Sequence, residues 1–135
     1  LPRSRIDVIV NGIDASTTVP GDTAGDYFLY IGRLSREKGV ATLALAQQKM
    51  QQSMPLKIVG DGPLGSDLRA RFSGPEFLGY MRHGEALNAL IRGARAVIVP
   101  SEYYENCSMS VLEAMAAGLP WSNGTRAARA CSPPT

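Results

Sequence analysis

Glu105 and Glu113 stand eight positions apart in VPSEYYENCSMSVLEAMAAGLP, the first in a polar loop, the second in a segment rich in Ala, Met and Leu. Carboxylates so placed can accept hydrogen bonds from ligand hydroxyls, or divide acid and base work as in a glycosidase. Spacing alone leaves their separation in space open. Each also has a plainer use, Glu105 on an exposed loop and Glu113 on the solvent side of a helix, where a lone glutamate commonly sits. A second group lies far upstream, where Arg33, Arg36 and Lys38 fall within six residues of GRLSREKG. Such cations can neutralise a diphosphate, each charge-assisted hydrogen bond contributing about 1.5–3 kcal/mol. A solvated turn would use the same residues.

The surrounding elements decide where these loops fall. Four short apolar runs suit strands: YFLYIG (27–32), LKIVG (56–60), EFLG (76–79) and AVIVP (96–100). Helical spacing follows each of them. GVATLALAQQKMQQ puts Val40, Leu43 and Ala44 on one face, and PLGSDLRARF has Pro63 near a helix start. HGEALNALIRGA keeps Leu87, Leu90, Ile91 and Ala94 at helical intervals, and SMSVLEAMAAG closes on Gly118 and Pro120. Strand and helix alternating four times predict an α/β, doubly wound parallel sheet. In the common order 3-2-1-4-5-6, the first and fourth strands are neighbours and their connections leave toward opposite faces. Ligands bind in the crevice at the carboxyl ends of such strands. Those ends are the two loops that carry Arg33, Lys38 and Glu105.

At the start of the last helix, the backbone N–H groups of Cys107, Ser108 and Met109 are placed to favour an anion. Ser108 could equally serve as an N-cap alone. VGDGPL (59–64) reads as a glycine turn, since it is neither a dinucleotide fingerprint nor a P-loop. His83 reads as a surface or helix-start residue. Tyr103 and Tyr104 either line the crevice or pack their own loop.

The 135 residues allow one domain with a real core. Hydrophobic content of 44% and charged content of 19% suit a soluble globular protein, and a net charge of +2 is too small to argue for nucleic acid or a membrane surface. Cys107 and Cys131 lack metal-ligand spacing and read as free thiols, which points to a cytoplasmic setting. No apolar run approaches the length of a membrane span, and no signal peptide is apparent. The chain lacks an initiator Met and is expected to be part of a longer protein.

Five blocks, VIVNGID, IGRLSREKG, IVGDGPL, FLGYM and VPSEYYENCSMSVLEAMAAGLP, run in that order from about Val8 to Pro120. Together they resemble the carboxy-terminal, donor-binding domain of family 4 (group 1) retaining glycosyltransferases, whose acidic motif is Glu, seven residues, Glu. The resemblance implies a Rossmann-like fold, one half of a two-Rossmann-domain enzyme. It implies that Arg33 and Lys38 hold a nucleotide diphosphate and stabilise it as it leaves, with no metal and no cofactor. Glu105 would contact donor-sugar hydroxyls near the reacting carbon, and Glu113 the ribose. The amides of Cys107, Ser108 and Met109 would meet the sugar or distal phosphate. The backbone of Tyr80 and Met81 would read the base, with Gly60 and Gly62 shaping the adjacent turn. The implied partner is a nucleotide sugar, a uridine diphosphate sugar in the first instance.

The resemblance stops at Pro120. Residues 1–120 are therefore expected to form a partial nucleotide-sugar-binding domain, incomplete at its C-terminal end. WSNGTRAARACSPPT (121–135) is expected to be a disordered or non-native tail, from a shifted reading frame or an imposed cut. Such a cut would leave the fourth strand's edge bare and open to self-association. The amino-terminal acceptor domain is expected to be missing, so the chain by itself should not catalyse transfer. Its parent would be a cytoplasmic enzyme of hexosyltransferase type, peripheral at the membrane in one version. Two other readings stay open: a non-enzymatic, oligomeric α/β module with a vestigial crevice, and a relative of two-domain epimerases or phosphorylases.

Overall fold

The computed structural model describes residues 11–14, 20, 25–50, 54–103, 105 and 108–123. Five strands, β1 (Phe28–Ile31), β2 (Leu56–Val59), β3 (Glu76–Gly79), β4 (Ala96–Val99) and β5 (Trp121–Asn123), form one sheet in the order β3-β2-β1-β4-β5. Every neighbouring pair is parallel. The connecting helices are α1 (Val40–Lys49), α2 (Gly65–Arg71), α3 (Glu85–Arg92) and α4 (Met109–Ala116). This is the expected Rossmann-like sheet, with β1 and β4 adjacent at the switch point.

Successive strand residues point to opposite faces, and each face has its own core. On one side Tyr30, Leu56 and Ile58 pack with Val40 and Ala44 of α1, Leu68 of α2 and Phe72 just beyond it. On the other, Leu29, Val59, Val97 and Val99 pack with Leu87 and Ile91 of α3 and with Val111 and Ala114 of α4. Strands buried on both faces explain why β1, β2 and β4 read as apolar runs rather than as alternations. β3, with no buried residue, is the edge on its side.

One expectation is corrected. Trp121, taken to begin the tail, instead begins β5, which pairs with β4 as Val97 with Trp121, Ile98 with Ser122 and Val99 with Asn123. The β4 edge is therefore covered. The end of α4 accounts for it: Gly118 takes φ +68°, its N–H bonds to Met115, and the Leu119 N–H reaches back to Ala114 at 2.9 Å. That pair of hydrogen bonds is a Schellman turn, and it buries Leu119 while aiming the chain along β4. The Pro120 carbonyl then accepts the Val97 N–H at 3.1 Å. The rest of the predicted tail, 124–135, lies outside the described residues.

Candidate functional site

The loop after β1 is stitched to the loop after β2. Gly32 donates to Val59, Leu34 to Asp61, and Leu64 back to Leu34, all within 3.0 Å. This close approach explains the glycines of VGDGPL: a Cβ on Gly60 would lie 1.9 Å from the Gly32 carbonyl oxygen. The Tyr30 hydroxyl donates to the Arg33 carbonyl at 2.9 Å and so fixes the backbone at that arginine. Burial, then the carboxylates of Glu105 and Glu37, hold the Tyr30 phenol well above its ordinary pKa, so it remains a donor. A single 3₁₀ turn, Arg36–Lys38, and the left-handed Gly39 lead into α1.

The loop after β4 closes onto the first loop. The Glu102 N–H donates to the Glu37 carbonyl at 3.0 Å, and the Thr42 hydroxyl donates to the Glu102 carboxylate at 2.7 Å. From α4, the Ser110 hydroxyl donates to the Ile31 carbonyl at 2.8 Å, fastening the helix start to the end of β1. Ser108 occupies the N-cap position but makes no side-chain capping bond.

Within this frame the Lys38 ammonium pairs with Oε1 of Glu105, and the Ser101 hydroxyl donates to the same oxygen at 2.6 Å. The Glu105 side chain is 14% exposed and that of Lys38 32%. Burial by itself would raise the Glu105 carboxyl. The bonds from Lys38 and Ser101, with the lysine charge, outweigh it and hold the carboxyl below its ordinary value. Glu105 is thus kept ionised at neutral pH, suited to accept hydrogen bonds and unsuited to give a proton.

Glu113 does not face solvent. Its side chain is 15% exposed and meets Nδ1 of His83 at 3.2 Å, the imidazole itself being 78% exposed. Burial pushes the Glu113 carboxyl up, and His83 offsets only part of that. His83 is a surface residue just before α3, as expected, but its contact with Glu113 had no sequence signal, since the two are separated by a strand and a helix.

Three clefts run together along the carboxyl ends of the strands. One of about 310 Å³ has Ile31, Val59 and Leu87 in its apolar lining and Arg33, Asp61, Tyr80, Met81 and His83 around it. One of about 260 Å³ lies between the β1 and β4 loops, against Arg33, Lys38, Ser101, Glu105 and Ser108. The third, about 550 Å³, is bounded by Asp14, His83, Asn88, Met109 and Glu113. Arg33 borders the first two, His83 the first and third, Met109 the second and third. Of the predicted site residues, Arg33, Lys38, Gly60, Tyr80, Met81, Glu105, Ser108, Met109 and Glu113 line this crevice. Gly62 lies behind it, against the Leu34 backbone. Cys107 and Tyr104 lie outside the described residues. Ser101, which orients Glu105, was missed; its only signal was a serine directly after a strand-ending proline. A separate cleft of about 380 Å³ sits at the opposite end of the sheet, beside Pro55 and Pro75, and has no charged residue in its lining among the described residues.

Among the described residues, no group of three or more His, Cys, Asp or Glu is placed to hold a metal ion. No helix among them is long and apolar enough to cross a membrane.

Residues 25–121 match the family model described as glycosyl transferases group 1. A glycogen synthase of Mycobacterium tuberculosis is 36% identical over 130 residues, an alignment covering 87% of this chain and 31% of that protein. The sulfoquinovosyl transferase SQD2 of Arabidopsis thaliana is 30% identical over 101 residues, covering 74% of this chain and 19% of its own length. The chain therefore spans about a third or less of these relatives. Among solved structures, the lipopolysaccharide outer core galactosyltransferase WaaB in its apo form superposes with a TM-score of 0.69 at 23% identity, over 91% of this chain and 38% of its own. The Anabaena protein HepE in complex with UDP-glucose superposes with a TM-score of 0.67 at 23% identity, over 87% and 38%. At that identity the likeness is one of fold.

Proposed function

This chain belongs to the group 1 glycosyl transferases, and from that membership we propose that it is the donor-binding half of a retaining enzyme moving sugar from a nucleotide diphosphate sugar to an acceptor hydroxyl. The observation that carries the reading is the charge arrangement at the β1/β4 switch point. Lys38, paired with the Glu105 carboxylate that Ser101 orients, and the exposed Arg33 border one cleft from the same loop. Two cations there are suited to the charge that develops on a departing diphosphate, work that needs no metal in this scheme. Glu105, held ionised, accepts from hydroxyls of the donor sugar; Glu113 accepts from the ribose. Tyr80 and Met81 meet the base through their backbone, and the amides at the start of α4 meet the sugar or distal phosphate. The Anabaena neighbour's complex with UDP-glucose supports uridine diphosphate as the first nucleotide to try. The acceptor belongs to a separate amino-terminal domain of a cytoplasmic enzyme, so this chain alone is expected to transfer no sugar above background when incubated with nucleotide sugars and acceptors.

Amide NMR of the chain, titrated with uridine, guanosine and adenosine diphosphates, tests the reading. One nucleotide is expected to shift peaks in Gly32–Lys38 and Ser108–Glu113. Glu113→Ala should weaken that binding about tenfold, since ligand hydroxyls lose a charged acceptor. A dispersed spectrum that ignores all three nucleotides would make the chain an inert module instead.

A further inference from the structure

We infer that His83 is a positioning residue for the sugar diol of the nucleotide, holding the Glu113 carboxylate by one oxygen so that the other faces the crevice. The inference rests on the donor-binding reading for its ligand, and on the structure's own geometry for the pair. Glu113 is half-buried on α4, and the one polar side chain beside it on that helix face, Ser110 three positions earlier, already donates to the Ile31 carbonyl at 2.8 Å. Nδ1 of His83 lies 3.2 Å from Oε1 of Glu113, and the imidazole reaches it from the loop between β3 and α3. An N–H at Nδ1 donates to that oxygen whether the ring is neutral or charged. His83 also borders both the cleft around Tyr80 and Met81 and the cleft that contains Glu113. A nucleoside with its base in the first would bring its ribose past this histidine.

Two other charged residues share a cavity with Glu113 among the described residues. Arg92 of α3 lines a small cavity with it but is paired to Glu85, and Asp14, which borders the larger cleft, is itself engaged. Because Asp14 is an acid, it cannot be the group that restrains the rise of the Glu113 carboxyl. His83 fits that role.

Two measurements on the full chain test the inference. The first follows the Glu113 carboxyl by ¹³C NMR without any nucleotide. In His83→Ala it should titrate higher than in the parent chain, and His83→Asn, which keeps a donor near the Nδ1 position, should return part of the way. An unchanged titration in His83→Ala overturns the pair. The second compares uridine, guanosine and adenosine diphosphates with their 2′,3′-dideoxy counterparts. His83→Ala should weaken binding of the preferred ribonucleotide about fivefold and leave the dideoxy form unchanged, with Asn rescuing. Equal losses for both forms would mean that His83 serves the phosphates or the fold, and would overturn the role in positioning. If the parent chain ignores every nucleotide, the donor-binding reading fails and takes the diol with it, while the titration still reports on the pair.

Discussion

Gly39→Ala is expected to destabilise the chain by about 3 kcal/mol or more, read as a fall of roughly 10 °C in Tm. Gly39 has φ +65°, a left-handed conformation that a Cβ makes unfavourable by about 1 kcal/mol. The larger cost is steric. A Cβ there would lie 2.0 Å from the Pro100 carbonyl oxygen and 2.9 Å from its carbon. Both are backbone atoms and cannot rotate aside, so the β1 and β4 loops must separate by about 1 Å. That separation strains the Glu102–Glu37 backbone bond and the Lys38–Glu105 pair together. Nucleotide binding should therefore fall with stability. A melting curve within about 1 kcal/mol of the parent would show that the loops yield easily and that their close approach does not organise the crevice.

Lys38→Met is expected to weaken diphosphate binding by at least tenfold and to reverse the sign of Glu105's contribution to stability with pH. The affinity loss follows from removing a charge-assisted donor, about 1.5–3 kcal/mol. In the parent chain the Glu105 carboxyl lies below its ordinary value of 4.5. Its contribution is thus fully present above that value and is lost as pH falls through the lower, folded one. Without Lys38, burial is the largest influence left and the Ser101 bond only partly opposes it, so the folded carboxyl lies above its ordinary value. Glu105 then favours folding when protonated, and stability is lost as pH rises through that raised value. Denaturant melts at a series of pH values between about 3 and 7 will compare the two. Parallel pH profiles for parent and variant would sink the pairing argument.

The sheet was legible because both of its faces are covered. β1 and β4 are apolar at every position and β2 at all but Lys57, and Gly or Pro punctuates their ends. The order that joins β1 to β4 followed from strand–helix alternation, and with it the location of the crevice. β5 was not legible: three residues with one large apolar side chain carry no period, and what places them is the turn at Gly118 and the free edge of β4. The site was read as residues but not as pairs. Lys38 and Glu105 were assigned to one crevice with separate tasks, yet they touch across 67 positions of chain. Helical spacing leaves Glu113 between solvent and crevice, because it describes a face without saying which neighbouring loop covers it. His83 supplied that cover from an element whose own pattern concerned only the start of α3.

The two cores divide the chain unequally, and the crevice lies over the division. All eight buried residues of the core under α1 and α2 come from Tyr30–Phe72, whereas most of the other core comes from Leu87–Leu119. Arg33 and Lys38 ride on the first body, Glu105 and Glu113 on the second. Beyond the β1–β4 pairing of the sheet itself, the polar contacts across this seam among the described residues include Lys38–Glu105, Glu102–Glu37, Thr42–Glu102 and Ser110–Ile31. On the donor-binding reading proposed above, a nucleotide gripped from both sides would be one more clasp. It would add RT ln(1 + [L]/Kd) to the stability of the folded chain, about 2.7 kcal/mol at a hundredfold excess over Kd.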